Sequence, residues 1–175
     1  TQRHSAMSDT TASADFVISR TFDAPRELVW ECFTKPERMK EWWGPKGVAV
    51  VHSEMDLRVG GTYLYGMKNP AGSVMWGRHI YREVTPPSRL AFIQSFSDEH
   101  GGISRHPMAP TWPLEMYSIY TLEELPGSKT KFTVMWRPHN ATAEEQKAFD
   151  AGRESMQGGW GGTLDKCEAY LVKAR

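Results

Sequence analysis

The chain has 175 residues, enough for one domain with a sizeable core, and its 21 Lys and Arg balance 21 Asp and Glu to a formal charge of zero. That balance, with no basic block or basic helical stripe, argues against a nucleic-acid partner. No apolar run is long enough to insert in a membrane, and Cys32 and Cys167 form neither a disulfide framework nor a zinc pattern, so the expectation is a cytoplasmic protein without a metal or other cofactor.

Residues 1–14 are polar, rich in Ser, Thr and Ala, and without periodicity. They read as a disordered lead before a single domain over residues 15–175. Alternation of Phe16, Ile18, Arg20 and Phe22 predicts a first strand. Asp23-Ala24-Pro25 ends it and opens a helix, with Asp23 as cap and Leu28, Val29, Cys32 and Phe33 at helical spacing. Pro36 starts a second short helix over 37–42, which Gly44-Pro45 terminates.

From Val48 the period becomes two, with Val51, Ser53, Met55 and Leu57 on one face. Gly60-Gly61 turns the chain into a strand carrying Tyr63, Tyr65 and Met67 on one side. The next strand, 73–84, has two half-apolar faces, Met75, Gly77, His79 and Tyr81 against Val74, Trp76, Ile80 and Val84. Parity alone does not choose between them. Leu90, Phe92, Gln94 and Phe96 are in register on the strand that follows Pro86-Pro87. Residues 97–113 have no period and carry His100, Arg105, His106, Met108 and Trp112, the composition of a lid or rim. A hairpin across Pro126-Gly127-Ser128 then aligns Met116, Ser118, Tyr120 and Leu122 with Phe132, Val134 and Trp136.

Thr142 followed by Glu145 has capping-box spacing, and Phe149, Met156, Trp160, Leu164, Cys167 and Leu171 form one stripe of a helix over 143–173. Gly158, Gly159, Gly161 and Gly162 interrupt it, each costing about 1 kcal/mol relative to alanine, which predicts a bend around Trp160. A kink that follows a twisted sheet and a close approach of backbone to ligand both account for such glycines.

This order predicts an α+β, helix-grip fold: a curved antiparallel sheet of six or seven strands wrapped around a long C-terminal helix, with two short helices after the first strand. An elongated pocket forms readily between such a sheet and helix. Its candidate lining is Tyr63, Tyr65, Met67, Met75, His79 and Tyr81 from the central strands. Phe92, Gln94, Met116, Ser118 and Trp136 add to it from the later strands, and Trp112, Met156 and Trp160 from the rim and helix. Core packing is the alternative use of the same side chains.

The sequence also resembles the START-like (SRPBCC) superfamily, and within it bacterial proteins related to the C-terminal domain of the activator of Hsp90 ATPase (AHSA1). The resemblance rests on Phe22-Asp23-Ala24-Pro25 with Val29-Trp30, on Trp42-Trp43-Gly44-Pro45, on Asp56-Leu57-Arg58-Val59-Gly60-Gly61, and on Pro86-Pro87-Ser88-Arg89-Leu90. Trp112-Pro113-Leu114-Glu115-Met116 and Met156 to Trp160 with Tyr170-Leu171 extend it to the end of the chain. It implies a helix-grip fold and binding of apolar or amphipathic small molecules, lipids and polyketides among them, under the long helix. Some members are implied to act as cyclases or dehydratases, and the name-giving branch to stimulate a chaperone ATPase.

No His-Glu-x-x-His helix, phosphate-binding Gly-Lys-Ser/Thr loop or serine elbow occurs. The leading expectation is therefore a binder of a small hydrophobic or amphipathic molecule. The alternatives are a cyclase- or dehydratase-type enzyme on an aromatic or polyketide-like substrate, with His79 and Tyr81 moving the proton, or a module that partners an Hsp90-type ATPase. Trp76 marks either a homodimer surface or a site covered by the chain itself.

Overall fold

The computed structural model of the protein describes residues 14–174, so positions 1–13 of the expected lead lie outside the described residues. The elements run β1 (Phe16–Phe22), α1 (Arg26–Thr34), α2 (Pro36–Trp42), β2 (Ala49–Met55), β3 (Thr62–Lys68) and β4 (Val74–Thr85). They continue as β5 (Arg89–Ser97), β6 (Ile103–Ser104), β7 (Met116–Leu125), β8 (Lys129–Pro138), α3 (Ala143–Ala151) and α4 (Arg153–Ala174). One antiparallel sheet in the order β1-β8-β7-β5-β4-β3-β2 contains them, with the short β6 paired beside β5. This is the expected helix-grip arrangement, with β6 as an added strand inside the non-periodic rim.

Two bulges set which side chains reach the core. One falls between Val50 and His52, turning Val50 inward and leaving Val51 exposed, so the expected face of β2 is displaced at its start. The other falls between Tyr81 and Glu83. Before it His79 and Tyr81 point inward; after it Val84 also packs on the core, although strict alternation puts it on the opposite face. Trp76 lies on the outer face, where its ring covers Gly66 and sits 5.4 Å from the His52 ring. Its side chain is half-buried there.

The apolar stripe of α4 fills the concave side of the sheet, with Met156, Trp160, Leu164, Cys167 and Leu171 all buried. Beneath it Phe33 of α1 stacks on Phe132 of β8 at 4.3 Å and meets Tyr120 edge-on at 5.3 Å. The α1 helix begins at Arg26, with Pro25 in extended conformation as its N-cap residue.

The predicted single helix over 143–173 is two helices. The break is at Gly152, and α4 runs as continuous helix through all four glycines around Trp160. The reason lies in the rim: a Cβ on Gly152 would stand 2.8 Å from the Trp112 ring, which is seated on that bare turn.

The capping box at the start of α3 forms as its spacing requires. Glu145 N–H donates to the Thr142 hydroxyl at 3.1 Å and Thr142 N–H donates to the Glu145 carboxylate at 3.0 Å. Thr142→Ala should therefore lower stability by about 1 kcal/mol, read as a lower urea midpoint at unchanged slope. An unchanged midpoint would mean that tertiary contacts alone hold the turn.

Candidate functional site

Between α4 and strands β3, β4, β5, β7 and β8 lies a chamber of about 220 Å³. Tyr65, Met67, Met75, His79, Phe92 and Gln94 line it from the central strands, Tyr120 and Trp136 from β7 and β8, and Met156, Gly159, Trp160 and Thr163 from α4. Trp43, Gly44 and Pro45, in the connection from α2 to β2, close its remaining side. No Asp, Glu, Lys or Arg is among these residues.

The 43–48 connection is held against α4 by Lys166 and by the Lys46–Asp165 ion pair at 2.9 Å. Lys166 Nζ donates to the carbonyls of Trp43, Pro45 and Val48 at 3.2–3.4 Å, placing an ammonium where three backbone oxygens converge. Gly44 has φ +95°, and a Cβ there would lie 2.6 Å from Met67 Sδ, so only glycine lets this wall approach β3.

His79 is the polar centre of the chamber. Only 3% exposed, it stacks on Phe92 at 3.9 Å and is ringed by Tyr65, Tyr63 and Trp43 at 5.2–6.0 Å. Burial lowers its pKa from 6.5 to about 3, which keeps the imidazole neutral. No side-chain hydrogen bond reaches it among the described residues. Gln94, directly opposite on β5, is 9% exposed and also faces the chamber. Burial pushes the Tyr65 phenol up to about 12, against the downward pull of Gln94 and Trp43 beside its hydroxyl. The Trp43 indole N–H nevertheless lies outside hydrogen-bond geometry, and the Trp136 indole N–H and Ser118 hydroxyl are likewise buried without a partner.

A second, outer space of about 510 Å³ adjoins the chamber, sharing Gln94, Phe96, Trp136 and Met156 with it and extending to His106, Trp112 and Gly152. Its rim, the connection between β5 and β7, is tied down by Arg105, whose guanidinium binds the Glu145 carboxylate and donates to the Trp112 carbonyl at 3.3 Å. Burial raises the Glu145 pKa, but Arg105 and the backbone N–H groups of Thr142 and Leu114 outweigh it and hold the carboxyl below its ordinary value.

The structure thus brings Tyr65, Met67, Met75, His79, Phe92, Gln94, Trp136, Met156 and Trp160 to one chamber and places Trp112 at the outer space. Tyr63, Tyr81, Met116 and Ser118 are buried in the surrounding shell; Tyr63 stacks on Tyr65 at 5.2 Å, and Tyr81 meets Phe92 edge-on at 6.0 Å. Sequence reasoning missed Trp43, Gly44, Pro45, Tyr120, Phe96, Gly159 and Thr163 as lining. For Trp43 to Pro45 the usable signal was an aromatic pair running into a Gly-Pro turn. Tyr120 was already in register with Met116 and Ser118.

Among the described residues no helix is long and apolar enough to cross a membrane, and no three His, Cys, Asp or Glu side chains converge as a metal set.

A curved antiparallel sheet closed on a C-terminal helix over an apolar chamber defines a helix-grip protein. The chain belongs to the activator of Hsp90 ATPase homolog 1-like family, whose model matches residues 23–172. Its structure is similar to that of a protein from Nitrosomonas europaea, at 25% identity and TM-score 0.71 over 91% of this chain and 95% of that one. A Mycobacterium smegmatis protein is similar at 23% identity and TM-score 0.72, over 95% and 94% of the two chains. The AHSA1 protein from Silicibacter pomeroyi follows at 20% and 0.70, over 93% and 100%. No curated protein matches the chain.

The buried imidazole has a consequence for stability. An unfolded His79 takes up a proton near pH 6.5 and the folded one only near 3, so stability falls as pH drops through that window. His79→Phe should remove this component: measured by urea unfolding, the variant should gain on the parent by up to about 1.4 kcal/mol per pH unit on going from about pH 6 to about pH 4. A pH-independent difference would show that the folded imidazole titrates normally.

Proposed function

We propose that the chain binds an uncharged, largely apolar small molecule in the chamber beneath α4, with one polar head directed at His79. The observation that carries this reading is a neutral imidazole, buried and without a hydrogen bond of its own, in an otherwise aromatic and Met-lined space. A buried polar group left unbonded is costly, and a ligand carbonyl or hydroxyl would relieve that cost. The absence of charged lining residues disfavours an ionised ligand, whose desolvation nothing there would offset.

Size narrows the choice. An apolar cavity of about 150 Å³ accommodates benzene, so a chamber somewhat larger suits a bicyclic body. Acid–base catalysis is less well supported, because an imidazole with a pKa near 3 is a weak base at neutral pH, and Tyr81 lies in the shell behind the lining. Partnering of a chaperone ATPase, the activity carried in the family's name, is the alternative.

Titration calorimetry with 2-naphthol, naphthalene and 2-naphthoate tests the proposal. The neutral naphthol should bind about tenfold more tightly than naphthalene, the worth of one hydrogen bond, and the carboxylate should bind least. His79→Phe should abolish the preference for naphthol over naphthalene. If none of the three binds, the small-molecule reading is lost and partner binding takes its place.

A further inference from the structure

Glycine is the costliest helix-interior residue after proline, yet α4 contains four and stays helical through all of them. Close packing accounts for only one. A Cβ on Gly162 would press on Lys46 at 3.3 Å, whereas one on Gly158, Gly159 or Gly161 would meet nothing within 4 Å. Among those three, Gly159 alone lines the chamber, together with Met156, Trp160 and Thr163 of α4 and with Gly44 and Pro45. The Thr163 hydroxyl donates to the Gly159 carbonyl at 2.9 Å, so that oxygen has an internal partner and the helix presents a bare Cα there.

A second observation indicates that the space beside this bare backbone is meant to be occupied. His79, 97% buried from its 3% exposure, lines the same chamber and has no hydrogen-bond partner among the described residues.

We infer that Gly159 is the specificity-determining position of the chamber: its missing side chain leaves a flat slot against α4 in which the face of a planar, uncharged bicyclic ligand lies, while its polar head reaches His79. The inference rests on the small-molecule reading and adds to it where the ligand body sits and which residue limits its width. A branched side chain at position 159 would occupy the slot, and flanking Met67 and Met75 would adapt to ligand length but not restore its width.

The test compares Gly159→Leu with Gly158→Leu by thermal unfolding and by calorimetric titration with 2-naphthol. Gly158 is exposed and outside the lining, so both variants relieve the same kind of helix penalty, but only one fills the slot. Both should raise Tm, by about 2–4 °C. Gly159→Leu should weaken naphthol binding at least tenfold, and Gly158→Leu should bind as the parent does. Equal binding by Gly159→Leu and the parent overturns the inference alone. Loss of Tm in Gly159→Leu overturns it too, because the glycine would then be required by the fold. Failure of the parent itself to bind naphthol removes the small-molecule reading and this inference with it.

Discussion

Everything else in this molecule depends on the burial of the α4 stripe against the concave face of the sheet. Leu164 and Cys167 are fully buried there, and the Phe33–Phe132 stack supports them from below. Toward the C-terminal end of α4 the contact is tight: Arg38 of α2 donates to the Tyr170 hydroxyl at 3.0 Å, and Arg20 of β1 reaches Asp165 at 2.6 Å. Toward its N-terminal end the same helix stands off the sheet and the chamber opens. The helix is thus anchored at one end and roofs a cavity at the other, which lets a site exist without loosening the core.

The chamber's chemistry follows from what surrounds it. Four strands each contribute an aromatic ring, and rings with few neighbouring charges make a poor solvent for ions. Burial consequently moves each ionisable group toward its neutral form, lowering His79 and raising Tyr65 and Tyr120. What remains is a set of neutral donors and acceptors, suited to discriminating ligands by hydrogen bonding and shape. The charges have been kept to the periphery, where Lys166 and Arg105 pin the two connections that flank the space.

The fold was legible because its signals are local and repeated: period-two strands, a capping box and one long amphipathic stripe. Legibility failed where one residue changes a phase. The bulge after Val50 exposes Val51, and the bulge after Tyr81 turns Val84 inward; alternation carries no mark of either. It failed again where a site residue sits in an aperiodic connection. Trp43, Gly44 and Pro45 reach the chamber because Lys166 draws the carbonyls of Trp43, Pro45 and Val48 toward α4, an arrangement 118–123 residues apart in the chain. On a helical wheel Lys166 simply falls outside the apolar stripe.

The glycines of the C-terminal region show the limit most clearly, because identical residues answer to different forces. Gly152 is fixed by a neighbour, the Trp112 ring that would collide with any Cβ, and there the helix breaks. Gly158, Gly159 and Gly161 have no such neighbour, and there it does not break. Propensity alone puts a break at the four-glycine run, since it sums local costs and ignores what the rest of the helix gains by staying helical. Trp160 and Leu164 are buried on one continuous surface, and a kink between them would separate them from partners across the sheet, Trp160 from Tyr120 and Trp136 in particular. Tertiary packing therefore holds the glycine run helical, and the bare backbone that results faces the chamber at Gly159.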